Sequence, residues 1–196
     1  MWATDASYFR VVSWGYYYMV TVMDDYSRSI LAWKLQLYMT SDPLIQVVQL
    51  AIYATGMTEA PLEDRTRPLS DDGPGYVSRA FRDYLGLVGI RHILAAPYHP
   101  QTNGKLERYH QSIKQEANQV PYEVPGDLEE AIAGFVDYYN HRSYHKALGN
   151  VTPNDALRGR REGVSIRRRE VKVQTLRWRQ RYNRQRRVSY DAGTSS

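Results

Sequence analysis

The sequence predicts an α/β chain: a mixed five-stranded sheet flanked by helices, with a basic C-terminal extension. Three observations predict it. Strand-like runs follow one another three times at the start, helix and strand patterns then alternate, and the charge changes sign near residue 158.

The elements come in the following order. Residues 1–10 and 16–24 (YYYMVTVMD) read as strands, rich in β-branched and aromatic residues. Asp24 and Asp25 end the second of these in the turn DDYSR, and residues 29–38 (SILAWKLQLY) give a third. A helix is expected from about Pro43 to Thr55, with Ser41 and Asp42 as cap candidates and Gly56 as its stop. RPLS (67–70) is a short fourth strand running into the turn DDGPG. Residues 78–89 have a helical pattern opened by Ser78 and closed at Gly89. RHILAA (90–95) is the fifth strand. Helices from about Gly104 to Gln119 and from Asp127 to Tyr139 complete the body.

Composition narrows the function classes. The chain has 196 residues, 42% apolar and 24% charged, a balance usual for one soluble globular domain with a tail. No run of 18 apolar residues exists, so no membrane partner is expected, and no signal-like N-terminus, so the expected location is cytoplasmic. Cysteine is absent, which removes disulfides and thiolate metal sites. Residues 158–187 hold 13 basic residues against Glu162 and Glu170, whereas residues 1–157 carry a net charge of −5. A basic segment on an acidic body suits a polyanion, although a solvated, disordered arm has the same composition. Trp178, Tyr182 and Tyr190 among the arginines favour nucleic acid, because such rings stack on bases.

Three acids stand out against this framework. Asp5 lies in the first strand, Asp71 at the carboxyl end of the fourth, and Glu107 one turn into the helix after the fifth. Carboxylates gathered from distant segments repel one another unless a cation holds them ionised, and oxygen ligands select hard ions such as magnesium or manganese. Taken singly, each acid is more simply a solvated or paired charge. His141 and His145 have a spacing that can bind zinc on a helix, but no third ligand accompanies them. The tyrosine-rich runs YYY and DYY read as sheet and core packing.

Asp71 and Glu107 have 35 residues between them and follow an earlier strand aspartate. This resembles the D,D-35-E signature of retroviral integrases and bacterial insertion-sequence transposases. The words WATDASYF, SDDGPGYVS and PYHPQTNGKLER around the acids, and YYNHRSYHKALGNVTPNDAL (138–157), resemble the transposase side of that family. The resemblance covers roughly residues 2–157. It implies an RNase H-like core over residues 1–157, with Asp5, Asp71 and Glu107 as catalytic metal ligands, and the charge sets off a separate arginine-rich tail over 158–196. It further implies two Mg2+ (or Mn2+) ions serving an in-line displacement, with a water or a DNA 3′-hydroxyl as nucleophile. The expected partners are mobile-element ends, a target duplex and further copies of the chain on DNA.

The same resemblance gives the polar helix a purpose. Seven residues past Glu107, where these enzymes carry a basic residue, stands Lys114. At about 100° per residue it returns to within about 20° of Glu107, so it can reach a phosphate on that face. Tyr98, His99, Gln101 and Asn103, on the proline-restricted loop leading in, are candidate DNA contacts, as are Arg167, Arg168 and Arg169 in the tail. Two departures accompany these matches. Asp72 stands where asparagine is usual in SDNG, and Asp71 is preferred as ligand because it keeps the 35-residue interval. Family transposases generally carry a helix-turn-helix region before the core, whereas Met1 here leads directly into the first strand. Two rival readings share these residues: a DNA-binding remnant without chemistry, and an RNase H-like nuclease without strand transfer.

Overall fold

The computed structural model describes residues 1–94 and 104–193. Five strands form one sheet in the order β3-β2-β1-β4-β5, with β1 Trp2–Val11, β2 Gly15–Asp24, β3 Ile30–Gln36, β4 Pro68–Ser70 and β5 Ile93–Leu94. The first three are antiparallel neighbours, and β4 and β5 run parallel to β1. The sheet is mixed and five-stranded as expected, with β3 and β5 shorter than their sequence patterns.

Alternation along the strands feeds two cores. Ala3, Phe9, Val11, Met19 and Met23 face one side, where they meet α3 (Gly104–Ala117) and α4 (Pro125–His141) through Leu106, Tyr109, Ile113 and Ile132. Trp2, Val20, Val22 and Ala32 face the other. They pack on α1 (Ser41–Thr55) and α2 (Arg79–Leu87) through Leu44, Val48, Ile52, Phe81 and Leu85.

The helix ends follow local chemistry. Gly56 closes α1 in the left-handed region at φ 64°, where a residue without Cβ is least strained. The residue capping its other end is Thr40, without a side-chain bond, so Ser41 and Asp42 fall inside the first turn. There the Asp42 charge favours the positive end of the helix dipole. Ser78 does cap α2, accepting from Phe81 N at 3.2 Å. Pro125 starts α4 two residues before the expected Asp127, because proline's fixed φ suits a first helical position.

The segment after α4 anchors the far edge. Asn140 accepts from Ile30 N and donates to Ile30 O, both at 2.9 Å, so its amide pairs with β3 as a strand residue would. Leu148, Val151 and Ala156 of the turn and α5 (Pro153–Leu157) form a small third core against Val164. Val164 belongs to α6, Arg161–Gly193, a 33-residue helix about 50 Å long. The basic segment is therefore helical, whereas its charge left a disordered arm open as the rival reading.

Candidate active site

The strand register brings two of the acids together. β4 runs parallel to β1 with Trp2 opposite Pro68 and Ala3 opposite Leu69. Two further steps set Asp71 opposite Asp5, at the point where β4 has ended and the chain turns away. Asp71 Oδ1 accepts from Gly73 N at 3.1 Å. A Cβ on Gly73 would lie 3.0 Å from that oxygen, so glycine leaves the carboxylate its room. Burial pushes the Asp71 carboxyl up, the Gly73 bond pulls it down, and the negative charges of Asp5 and then Asp72 push it up again.

Tyr76 reports the same juxtaposition. Its hydroxyl lies 3.1 Å from Thr4 Oγ1 in the core beneath the pair. Burial, opposed by that hydrogen bond, raises its pKa, and the charges of Asp5 and Asp71 raise it further. One phenol thus feels both carboxylates. Such a phenol holds its proton and serves as a floor, not a nucleophile.

The third acid arrives on α3. Glu107 occupies the exposed side of the first turn, and one turn later His110 is buried against the sheet. His110 Nδ1 stands 3.5 Å from Asp5 Oδ2, and its Nε2 lies 3.4 Å from Thr21 Oγ1. Asp5 and Thr21 are themselves cross-strand partners. Residues three apart share a helix face, so Glu107 is on the turn next to Asp5. Among the described residues no three acid or histidine side chains converge closely enough to hold a metal. Asp5 and Asp71 are brought together, and the helix of Glu107 is docked beside them.

The basic residues take specific places. Lys105 Nζ pairs with Asp25 Oδ1 at 2.8 Å and ties the start of α3 to the turn after β2. Asp24 Oδ2 instead accepts from Ser27 N and Ser27 Oγ, at 2.8 and 2.6 Å, and shapes that turn. Lys114 Nζ sits 4.3 Å from the centre of the exposed Tyr8 ring, a cation–π contact at the open edge of β1. Arg168 lies 4.7 Å from the Tyr144 ring and donates to Asn150 O. Arg167 and Arg169 are exposed on the same helix. Tyr98, His99, Gln101 and Asn103 lie outside the described residues.

Other candidates separate. His141 Nδ1 pairs with Asp137 at 3.1 Å at the end of α4, whereas His145 stacks edge-on to Tyr139 at 4.8 Å. They build no shared site. His110, Tyr76 and Tyr8 were not singled out by sequence reasoning. The interval from Glu107 to His110, a single helical turn, was the available signal for the first.

Comparison with known proteins decides the family. A family model described as "Integrase core domain" matches residues 1–100, and a second with the same description matches residues 88–153. The chain belongs to the integrase core family. A putative transposase for insertion sequence element IS986/IS6110 of Mycobacterium tuberculosis (strain CDC 1551 / Oshkosh) is 29% identical over 157 residues, covering 78% of this chain and 55% of the relative. The Gag-Pro-Pol polyprotein of squirrel monkey retrovirus is 30% identical over 120 residues, covering 61% of this chain and 6% of the polyprotein. The chain thus spans about half the length of the mycobacterial relative. Among solved structures, the HTLV-2 integrase catalytic core in complex with magnesium superimposes at a TM-score of 0.59 and 19% identity, covering 79% of this chain and 92% of that one. The BIV integrase core superimposes at 0.59 and 17% identity, covering 83% and 97%. These likenesses make the sheet an RNase H-like integrase core. Among the described residues no helix of this integrase core is long and apolar enough to cross a membrane.

Proposed function

We propose that this integrase core is a metal-dependent DNA strand-transferase of the transposase type, with Asp5, Asp71 and Glu107 as its catalytic acids. The observation that carries this reading is the like-charged pair of Asp5 and Asp71 beside a docked helix that presents Glu107. Two carboxylates that repel each other at a strand end gain most from a shared cation, and an all-oxygen donor set fits magnesium or manganese. Solved integrase cores similar to this chain include one in complex with magnesium. Two ions are the expected complement, as the spread of three acids over the middle of β1, the end of β4 and α3 supports.

Bound magnesium supplies a lowered pKa for the attacking hydroxyl and charge neutralisation for the leaving oxygen. The chain's own residues do the rest. Asp5, within β1, and Asp71, just past the end of β4, would hold the cation at a fixed place, beside which the reacting phosphate is positioned. Lys114 has donors and no lone pair, so its role is to hold a DNA phosphate as a point charge, with Tyr8 retaining the ammonium at the β1 edge until DNA arrives. Tyr98, His99, Gln101 and Asn103 remain proposed contacts near the DNA end. Residues 158–196 form the second unit in this reading. There α6, with Arg167, Arg168 and Arg169, adds affinity for duplex DNA without sequence choice. The protein is proposed to act as a homo-oligomer on mobile-element ends and target DNA.

The deciding experiment offers matched and scrambled element ends with Mg2+ and counts joined products. Cleavage and joining on matched ends, lost on Lys114→Ala, support the reading. Cutting of unrelated duplexes without joined product makes the protein a nuclease, and binding without any product makes it a DNA-binding remnant.

A further inference from the structure

We propose that His110 is a positioning residue for the metal site: it orients the Asp5 carboxylate and sets the spacing between Asp5 and the helix that carries Glu107. The inference rests on the reading of Asp5 as a metal ligand.

His110 is 6% exposed and touches both Asp5 and Thr21. Thr21 is fully buried, and its hydroxyl reaches His110 Nε2 at 3.4 Å. A buried hydroxyl without a partner costs about 1–3 kcal/mol. The arrangement that satisfies every group has the Thr21 O–H donating to Nε2. The ring proton then sits on Nδ1, which faces Asp5 Oδ2 at 3.5 Å, and a small ring rotation closes that contact into a hydrogen bond. The other Asp5 oxygen is already engaged, with Oδ1 accepting from Ala6 N at 2.7 Å. Asp5 Oδ1 thus has a donor, Oδ2 faces a second one 3.5 Å away, and each oxygen keeps lone pairs for a cation.

The second half of the role follows from the helix. His110 is one turn from Glu107, so the ring contacting Asp5 also fixes how far α3 stands from β1. Outer partners of this kind, which orient a ligating carboxylate, typically change metal affinity by about 10–100-fold when removed. A phenylalanine at 110 would fill the same space and supply neither nitrogen. Pure packing and positioning therefore make different predictions.

Mn2+ binding to the full chain without DNA, titrated by the electron paramagnetic resonance of the free ion, separates them. Asparagine puts its amide nitrogen near the position of Nδ1, whereas glutamine extends toward that of Nε2. The expected order is parent and His110→Asn alike within about threefold, with His110→Gln and His110→Phe weaker by about 10–100-fold. Equal affinity in parent and His110→Phe overturns the proposal. Should His110→Phe fail to fold, equal affinity in the asparagine and glutamine variants overturns it instead. Asp5→Asn is the control for the underlying reading. If it loses Mn2+ while His110→Phe keeps it, only the role of His110 falls. If Asp5→Asn or the parent shows that Asp5 adds nothing to Mn2+ binding, both fall together.

Discussion

The corner where β1, β4 and α3 meet and the long helix α6 are held in place by opposite means. At the corner, buried polar groups meet partners from distant segments: Thr4 with Tyr76, Thr21 with His110, and Ser70 with His92 at 2.8 Å. On α6 every side chain described from Ile166 to Arg186 is exposed. The body holds that helix through Val164, through Arg161 above the Tyr26 ring at 5.1 Å, and through Arg168. The corner depends on geometry, so single atoms matter there. The helix depends on how many charges it carries, so its losses are graded.

The largest effect that tests this contrast is at the acids. Asp5→Asn, Asp71→Asn or Glu107→Gln should each lower Mg2+-dependent cleavage by more than about a thousandfold, as loss of a central catalytic group does. Folding and nonspecific DNA binding should stay near the parent's. Retained cleavage in all three variants would remove the metal-site assignment.

Truncation after Ser165 gives the corresponding test of α6. It removes ten basic residues yet leaves Val164 on its small core. Log affinity for random duplex DNA against log salt should flatten, by roughly 0.9 for each phosphate that the protein no longer neutralises. Single arginine-to-alanine changes should each take about one such step. An unchanged slope would mean that α6 serves another partner.

The same division explains what could be read from sequence. The strands of the corner were legible because alternation carries geometry in its spacing. Asp71 opposite Asp5 follows from the parallel register, and Ser78 and Gly56 act where cap chemistry placed them. Less legible were contacts that join distant segments through one side chain, such as Asn140 on Ile30 or Lys105 on Asp25, because they depend on the finished packing. The helical state of α6 was hidden by its charge. Its signal was the lack of glycine and proline from Val164 to Ala192, in a run of arginine, glutamine and other good helix formers.

A single methyl group sharpens the comparison further. A Cβ on Gly75 would lie 2.6 Å from Leu44 Cδ1, a buried core atom of α1. Gly75→Ala should cost about 1–3 kcal/mol by urea unfolding, the usual penalty of overpacking. Ile166→Ala on exposed α6 should stay within about 0.5 kcal/mol. Similar costs at both sites would mean that α6 is packed as tightly as the body.

Acid titration should also act through the body. Burial lowers the His92 pKa, and burial together with the Arg28 charge lowers that of His145. The unfolded chain takes up these protons near pH 6.5, before the native state does. Stability from both groups is thus present above that pH and is lost as pH falls below it. The urea midpoint should drop between pH 7 and pH 5, and His92→Gln should reduce the drop. A drop of the same size in His92→Gln would leave His145 and other groups as its source.

The smallest expected effect lies beside the largest. Asp72 is exposed, and its charge adds, after burial and Asp5, to the upward push on the Asp71 carboxyl. Asp72→Asn removes that contribution and nothing that the register places opposite Asp5. Cleavage at neutral pH should stay near the parent's, while the acid side of the pH–rate profile moves to lower pH, because Asp71 then ionises more readily. The sign is the informative part. A shift to higher pH, or a dead Asp72→Asn enzyme beside an active Asp71→Asn one, would make Asp72 the ligand and move the carboxylate pair one residue along the turn.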